Sequence, residues 1–567
     1  MKKRLLAALM AVSMLLCLAA CGNSSSSVPA ASADSAPAQS APAAEEAAPA
    51  VPDAQSAAEE AEASAVAPVA AEIPDPVLPL SDGSETFEVW MGISPAAMNY
   101  ISTLADNATY QELMKRTGVN LSFIHFHPDT QTEQFNLICA SGDYPDVMNG
   151  VVNQYTGGAD KGIEDGVFID LLDYLEEYAP HYYNIISTDP ELYEDVTTPE
   201  GAVAGFYSVY EEARLNDMGY VIRQDWLDSL GLSKPTTLDE LHDVLSAFQQ
   251  DKGATDALFV PATGVSDYFA AAYGVGSGMY LDGDTIKYGP LEEGYKEYVE
   301  LIRDWMDKGL ISTTFIQDNA NPMGDVYSTN VSTGRTGIFF NGVGMIGMFQ
   351  STLSDADANG KLIACYDARK NADDVLHNAN EDSIVGKMGI TITTACENPE
   401  LAMKWCDFWY TEDGVLLANY GIEGQSFEFD ENGQPYITEL VTNNPDGLSL
   451  MDTQFMYSTD SVNRINDITK TRSTYTEAGL EARDIWDYNR DDANTYPSAA
   501  ALTADEADEH SSIYSDINTY LQEQIAQFIT GAKSMDEWDT FVKKLKDMGI
   551  EDCIQLKQDA YDRYLAR

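Results

Sequence analysis

The stretch GIFFNGVGMIGMFQSTLSDADANGKLIACYD, from Gly337 to Asp367, consists of an apolar strand, a glycine-rich turn, a short helix and a second apolar strand. Apolar strands that alternate with helices are typical of α/β proteins. The spacing of Gly342, Gly344 and Gly347 also matches the G-x-G-x-x-G fingerprint of dinucleotide-binding domains, with Asp367 as the terminal acid. The stretch therefore predicts an α/β fold and raises the hypothesis of a nicotinamide or flavin enzyme.

The surroundings of the fingerprint argue against a bound dinucleotide. The helix, roughly Met345 to Leu353, is shorter than the crossover that a dinucleotide-binding unit uses. Residues 369–383 are polar and broken where the next βα unit would follow. We therefore expect no nucleotide and no other cofactor.

The N-terminus has the pattern of an export signal. Lys2, Lys3 and Arg4 precede an apolar run that ends in Leu18-Ala19-Ala20-Cys21, which resembles the bacterial lipobox. Residues 1–20 are therefore predicted to be a lipoprotein signal peptide, with lipid attached to Cys21. No later stretch has the length of apolar sequence that a membrane-spanning helix needs. We expect the protein on the extracellular face of the bacterial cell membrane, anchored by lipid.

Residues 21–80 are predicted to form a disordered tether. The segment consists mostly of Ala, Pro, Ser, Glu and Asp and has no aromatic and no basic residue, so it has too little apolar surface to fold. A chain of about sixty such residues reaches on the order of 40 Å. An exported protein on such a tether has no supply of intracellular nucleotide, which again disfavours a dinucleotide site.

The body that follows is large and acidic. Nearly five hundred residues exceed what one hydrophobic core supports, so two or more lobes are expected. The formal net charge of −60 repels nucleic acid and favours neutral or cationic solutes, although acidity for solubility explains it equally well. The cysteines beyond Cys21 are widely spaced and predict no disulfide framework: Cys139, Cys365, Cys396, Cys406 and Cys553.

Several motifs in chain order resemble family 1 extracellular solute-binding proteins of ABC importers, in particular the long lipoprotein members of Gram-positive bacteria. They include ELMKRTGVNLSF from residue 112, NLICASGDYPDV from 136, DWLDSLGLSKPTTLDELHDVLSAF from 225 and NPELAMKWCDFWYTEDGVLLANYGIEG from 398. The resemblance implies an α/β, two-lobed periplasmic-binding-protein type II fold with a hinged cleft and extra C-terminal helices. It also implies membrane permease subunits as partners and no catalysis. We expect a monomer.

The domain boundaries that we expect follow from this resemblance. Residues 81–210 and 390–500 would form the first lobe, residues 211–389 the second lobe, and residues 501–567 helices that pack on the lobes. The chain would cross between the lobes near 205–215 and 385–392.

A cleft that binds sugars needs aromatic faces, and amides or carboxylates that orient hydroxyl groups. Family likeness places ligand contacts just after the S-G-D-x-P-D motif and at the end of the strand in the opening stretch. The candidate ligand-binding residues are Trp90, Met91, Asn149, Asn153, Tyr155, Tyr207, Tyr210, Tyr268, Tyr273, Asn341, Gly342 and Trp486. For each of them, packing in a core is an equally good interpretation.

Three other patterns suggest metal or catalytic chemistry only weakly. Asp355 begins a D-x-D-x-N-G run, but position twelve of that calcium loop would be a tyrosine, so an ordinary turn is favoured. His125 and His127 share a strand face without a third metal ligand nearby. Glu428 and Asp430 are better explained as solvent-facing acids of a hairpin that turns at Asn432-Gly433. No metal is expected.

These patterns and the family resemblance together predict a lipid-anchored binding protein that delivers a small solute, in the first place a carbohydrate or oligosaccharide, to an ABC importer by cleft closure. Three alternatives stay open: a surface capture or sensing protein without its own permease, an exported polysaccharide-active hydrolase, and a peptide or amine ligand. No G-x-S-x-G or H-E-x-x-H motif occurs, which disfavours the hydrolase.

Overall fold

The fold was analysed in a computed structural model of the chain. The structure describes residues 73–93, 97–126, 130–210, 218–259, 269–311, 325–377, 384–386, 388–445, 448, 453, 456–457, 464–473, 475–497 and 500–566. Within these residues, no helix is both long enough and apolar enough to span a bilayer.

The strands of the described chain are β1 Thr86–Trp90, β2 Asn120–Ile124, β3 Val147–Asn149, β4 Val209–Tyr210, β5 Met218–Arg223, β6 Leu258–Phe259, β7 Met279–Asp282, β8 Thr285–Tyr288, β9 Ile338–Gly342, β10 Leu362–Cys365, β11 Ile390–Ile392, β12 Phe427–Phe429, β13 Pro435–Ile437 and β14 Ile465–Asn466. The α-helices are α1 Ala108–Thr117, α2 Gln131–Ser141, α3 Gly158–Glu164, α4 Leu172–Tyr178, α5 Pro180–Thr188, α6 Pro190–Val196, α7 Gln224–Leu230, α8 Leu238–Lys252, α9 Glu293–Asp307, α10 Asp325–Ser332, α11 Ile346–Ala356, α12 Pro399–Phe408, α13 Glu412–Tyr420, α14 Glu439–Thr442, α15 Ile468–Ser473, α16 Glu477–Trp486, α17 Ala504–Ile529, α18 Trp538–Asp547 and α19 Ile550–Leu565. Short 3₁₀ helices span Ala97–Asn99, Leu104–Asp106, Val152–Gln154, Gly289–Leu291, Val343–Met345 and Met535–Glu537.

The first lobe is built on a sheet with the order β11-β3-β1-β2. Strands β1, β2 and β3 are parallel, and β11 is antiparallel to β3. Helices α1, α5 and α12 pack on this sheet, and their contacts bury Leu113, Tyr182 and Trp405 in one apolar core. Because the three parallel strands end at the same edge, the segments that follow them are brought together there.

The second lobe has a sheet with the order β10-β5-β9-β6. Strand β5 is antiparallel to both of its neighbours, β9 and β10. Helices α8 and α9 cover one face and bury Leu245, Phe248 and Trp305. A separate apolar cluster around Phe349 and Trp486 covers the other face.

Local sequence signals explain where several helices begin and end. Thr237 and Glu240 form the predicted capping box of α8, in which the threonine side chain accepts from the Glu240 N–H and the glutamate caps the Thr237 N–H. Asn107 caps α1, and Gly118 ends it in a left-handed conformation with φ +67°. These interactions satisfy backbone groups that a helix terminus otherwise leaves unpaired.

Within the residues that the structure describes, three segments connect the lobes, where two were predicted. Val209 of β4 pairs in parallel with Ile465 of β14 and forms an antiparallel bridge with Val385, so the three segments meet at one point. The expected crossings near 205–215 and 385–392 correspond to the first two. The third passes β14 into α15, where no crossing was predicted, because the first lobe was expected to continue to residue 500.

The end of the predicted first lobe is therefore corrected. Helix α16 lies in the core of the second lobe, not the first, because Trp486 packs against the backbone of Gly219 and its Nε1 donates to the Tyr220 carbonyl oxygen at 3.1 Å. The C-terminal helices also belong mainly to the second core, in which Ile517, Phe528 and Phe541 are fully buried. The second lobe thus gains residues 475–497 and most of 500–566.

The contact between Gly219 and Trp486 gives a stability prediction. A methyl group at Gly219 would lie 2.4 Å from the buried indole, so Gly219→Ala must displace that ring. Overpacking of this kind costs about 1–3 kcal/mol. We expect a lower urea midpoint for Gly219→Ala than for Gly278→Ala, whose added carbon meets only the Tyr514 hydroxyl at 3.7 Å. Equal midpoints for the two variants would show that the indole does not depend on this glycine.

Burial of His510 gives a prediction about pH. Its ring stacks on Tyr514 with centroids 5.0 Å apart, and desolvation, with a smaller effect of Lys557, lowers the pKa of the imidazole to about 4. Since the folded pKa lies below the ordinary value near 6.5, the neutral ring favours folding above pH 6.5, and this contribution is lost as the pH falls towards 4. Thermal unfolding of His510→Phe should depend less on pH between 6.5 and 4 than that of wild type. His242→Gln, at a half-buried surface position, should retain the wild-type slope.

Candidate ligand-binding cleft

The loop after β3 forms a polar rim at the carboxyl edge of the first sheet. Gly150 adopts a left-handed conformation with φ +75°, and its N–H donates to the Gly389 carbonyl oxygen at 2.9 Å. Its own carbonyl oxygen accepts from Gln131 Nε2 at 3.3 Å and Gln154 Nε2 at 2.9 Å. Met388 completes the group, since its Sδ lies 3.4 Å from the position of a Cβ at Gly150. We call these five residues the amide rim.

The amide rim has features that suit a neutral, hydroxyl-rich ligand. None of its five residues is charged, and the Met388 side chain is 61% exposed. Gln154 Oε1 is buried and accepts no hydrogen bond from the described residues, so one acceptor stays unused beside the rim. Carbohydrate sites combine such amides with exposed apolar faces.

Further apolar side chains lie at the same edge of the first sheet. Met98 and Tyr100 follow β1 and are 56% and 41% exposed, and Ile124 ends β2. Exposed large apolar groups at a sheet edge that also carries amides provide faces on which sugar rings can pack. The sequence reasoning did not include Met98, Tyr100, Gln131, Gln154 or Met388. For Met98 and Tyr100 the position after the apolar strand β1 was a usable signal.

Some predicted contacts do lie beside the amide rim. Asn149 is the last residue of β3 and directly precedes Gly150. Tyr207 packs against Gly389, where an added Cβ would be 2.8 Å from the ring, and Tyr210 lies beside Gly386. The structure therefore brings these three residues to the segment that carries Met388, although Tyr207 itself is buried.

Three other predicted contacts are packed in cores, and their contact with a solute stays a prediction. Trp90 is buried against Phe126, with ring centroids 4.1 Å apart, and Met91 accepts a hydrogen bond from the Tyr110 hydroxyl at 3.1 Å within the first core. Trp486 is fully enclosed in the second lobe. Close packing on all sides leaves none of these side chains a face for a solute in this conformation.

The remaining candidates are spread over both lobes. The Tyr155 hydroxyl donates to Asp165 at 2.9 Å, and burial together with this acid raises the pKa of the tyrosine to about 12. Tyr273 lies under the Lys370 ammonium, 4.8 Å from the ring centroid. The side chain of Asn153, and the whole of Tyr268 and Cys21, lie outside the described residues.

The glycine-rich turn lies at the corresponding edge of the second sheet. Asn341 is buried, and its Oδ1 accepts from the Gly342 N–H at 2.7 Å. Gly344 faces Tyr475, and Gly347 faces Thr476. A Cβ added at Gly347 would lie 2.9 Å from the Thr476 methyl group. Gly347 therefore allows α11 to approach the start of α16, whereas an added Cβ at Gly344 would make only an ordinary contact with Tyr475 at 3.8 Å.

Two observations exclude the dinucleotide interpretation of this turn. The antiparallel strand β5 lies between β9 and β10, whereas a dinucleotide-binding unit places its two parallel strands side by side. Asp367, the acid that would hold a ribose hydroxyl, is buried and accepts a hydrogen bond from Arg490 at 2.6 Å.

The suspected metal and carboxylate motifs serve as turns and caps. Asp357 pairs with Arg223 at 3.2 Å and accepts from the Asn359 N–H. His125 accepts at Nε2 from the Leu104 N–H, so its Nδ1 donates to the Met91 carbonyl oxygen and both ring nitrogens are occupied. Among the described residues, no group of three His, Cys, Asp or Glu side chains is placed to bind a metal.

The carboxylate pair at Glu428 and Asp430 lies in the predicted hairpin of β12 and β13. Glu428 accepts from the Tyr436 hydroxyl at 2.9 Å. Asp430 accepts from the N–H groups of Gln434 and Asn432, and these bonds lower the pKa of its carboxyl group. Both acids are exposed and are held by the turn, so they do not form a catalytic pair.

Comparison with known proteins identifies the family. The sequence profile of the bacterial extracellular solute-binding proteins matches residues 101–415, more than half of the chain. The chain belongs to this family. This solute-binding protein is 25% identical, over 80% of its length and 87% of the relative's, to the fructooligosaccharide ABC transporter substrate-binding protein FusA of Streptococcus pneumoniae serotype 4.

Solved structures confirm the two-lobed fold of this solute-binding protein. The alginate-binding protein AlgQ2, in a crystal structure without calcium ion, superposes with a TM-score of 0.69 at 22% identity and covers 85% of this chain and 99% of its own. FusA of S. pneumoniae in complex with kestose gives the same TM-score and identity over 85% and 100% of the two chains. The predicted α/β fold is confirmed. Members of this family are bacterial extracellular solute-binding proteins.

Proposed function

We propose that this protein is the lipid-anchored substrate-binding component of an ABC importer and that it captures a neutral oligosaccharide without altering it. The family and the fold support the binding role. The name of FusA, a fructooligosaccharide-binding relative, supports a carbohydrate. The lipobox at Cys21 supports the anchor, and permease subunits in the membrane are the expected partners.

The uncharged amide rim is the observation that carries the ligand class. Gln131 and Gln154 hold the Gly150 carbonyl oxygen with one N–H each, so the second N–H of each amide remains for hydroxyl groups. An amine or polyamine needs a carboxylate at the rim, and an acidic glycan needs a cation. The rim contains neither, although the protein as a whole is strongly acidic.

Closure of the lobes over the solute supplies the mechanism. Both sheets present their strand ends to the cleft, so a solute that contacts both rims favours the conformation in which they are close. The three connecting segments, hydrogen-bonded to one another at Val209, would act as the hinge. A permease could then distinguish the loaded form by its shape.

Thermal unfolding with a panel of glycans tests the ligand class. The probes are kestose, nystose, maltotetraose, a mannose-rich N-glycan fragment, an alginate oligomer, a tetrapeptide and spermidine. A ligand at about a hundred times its dissociation constant raises the free energy of unfolding by roughly 2.7 kcal/mol. We expect stabilisation by at least one neutral glycan, which mass spectrometry should recover intact. Stabilisation by the peptide or spermidine alone, or cleavage of a glycan, would contradict the proposal.

Substitutions in the amide rim test its role. Gln131→Ala and Gln154→Ala should each weaken binding of the glycan found above by about 0.5–1.5 kcal/mol, the usual loss for one hydrogen bond. Gln134→Ala is the matched control, because Gln134 lies on the same helix and donates instead to Thr130 at 2.8 Å. Calorimetry should show an unchanged dissociation constant for this control. If all three variants bind as wild type does, the solute binds elsewhere in the cleft.

A further inference from the structure

Helix α17 is a long, rigid part of the second lobe. With 26 residues it is about 39 Å long, and Ile517, Leu521 and Phe528 anchor it in the second core. Its first turn is also fixed. Arg563 of α19 donates two hydrogen bonds, of 2.7 and 2.6 Å, to the carboxylate of Glu506.

The N-terminal turns of α17 contact helix α3 of the first lobe. At this contact Asp508 approaches the backbone of Gly157, where an added Cβ would lie 3.0 Å from the aspartate Oδ1 and 2.8 Å from Lys161 Cγ. Gly157 also has a φ of +85°, so glycine is favoured there by conformation and by space.

Helix α3 is fixed in the first lobe and lies close in sequence to the amide rim. Gly162 packs under the Phe168 ring, where a Cβ would be 2.5 Å away, and Phe168 belongs to the cluster that contains Trp90. Only the 3₁₀ helix Val152–Gln154 and a short turn separate Gly150 from α3. The α17 contact therefore acts on the lobe next to the rim.

Electrostatic attraction does not explain this contact. The first turns of α17 carry Asp505, Glu506, Asp508 and Glu509 and no cation, since burial lowers the pKa of His510 and keeps its ring neutral near pH 7. Helix α3 and its C-terminal residue carry Asp160, Glu164 and Asp165. The single lysine of α3, Lys161, is already paired with Glu164 at 3.1 Å and Asp165 at 2.7 Å. Two acidic surfaces in contact limit approach rather than promote adhesion.

We propose that α17 is a stop between the lobes. It is a rigid part of the second lobe and contacts α3 of the first lobe. This contact limits how closely the lobes approach each other and thereby sets the width of the cleft. That the width of the cleft limits the size of the solute rests on the function proposed above. The contact itself is independent of any ligand, so the two proposals fail separately.

Cross-linking tests whether the lobes touch at this place in solution. The full mature chain with Cys139→Ser, which removes the half-exposed native thiol, would carry Lys161→Cys with Asp508→Cys, or Lys161→Cys with Asp516→Cys as control. A short bis-maleimide should link the first pair about tenfold faster, because a fixed contact raises the effective concentration of one thiol at the other. Peptide mass spectrometry identifies the linked residues. Equal rates for the two pairs would overturn the proposal.

A bulky residue at the contact tests whether it limits approach. Asp508→Trp should increase the maximum dimension measured by small-angle X-ray scattering, because a Trp side chain at this exposed position beside Gly157 occupies space between α17 and α3. Asp516→Trp, at an exposed position about 12 Å further along the same helix, should leave it unchanged. If cross-linking confirms the contact but Asp508→Trp leaves the maximum dimension unchanged, the two helices touch without setting the interlobe spacing. The proposal would then be wrong.

Discussion

The molecule depends on hydrogen bonds that hold three separate chain segments together between two cores. The Val209 N–H donates to the Arg464 carbonyl oxygen at 2.9 Å, and the Tyr210 N–H donates to the Ile384 carbonyl oxygen at 2.8 Å. The Gly386 N–H donates to the Ser208 carbonyl oxygen at 2.7 Å. Each lobe has its own apolar interior, so these few backbone bonds fix where the lobes meet without merging them. Short paired segments of this kind bend more easily than a packed interface.

Much of the fold follows from local patterns. The alternation at Thr86–Trp90, the capping box at Thr237 and the hairpin at Asn432 each show in a few neighbouring residues, and each appears in the structure. The third crossing could not be found in this way. The residues after β14 have no composition that distinguishes a lobe boundary from a surface turn, and Trp486 joins the second lobe only because a glycine far away in sequence leaves room for its ring.

The candidate site was predicted less well, for a related reason. Aromatic residues at strand ends are equally suited to a core and to a cleft, and Trp90 became core because Phe126 and Phe135 pack on its ring. The amide rim escaped notice because its members come from distant parts of the chain: Gln131 from a helix start, Gly150 and Gln154 from a loop, and Met388 from the returning segment. Each is ordinary in its own sequence context. The left-handed backbone at Gly150 presents its carbonyl oxygen to both glutamine amides and places Met388 beside them.

The position of the amide rim outside both apolar cores has an evolutionary consequence. Gln131, Gln154 and Met388 can be exchanged without opening a cavity in either interior, because the backbone beneath them is held by strand pairing. In the proposed function these residues select the solute, so recognition can change from one glycan to another while the scaffold stays constant. The residues that keep the chain folded are then separate from those that select its solute, in a chain that shares only a quarter of its residues with its relative FusA.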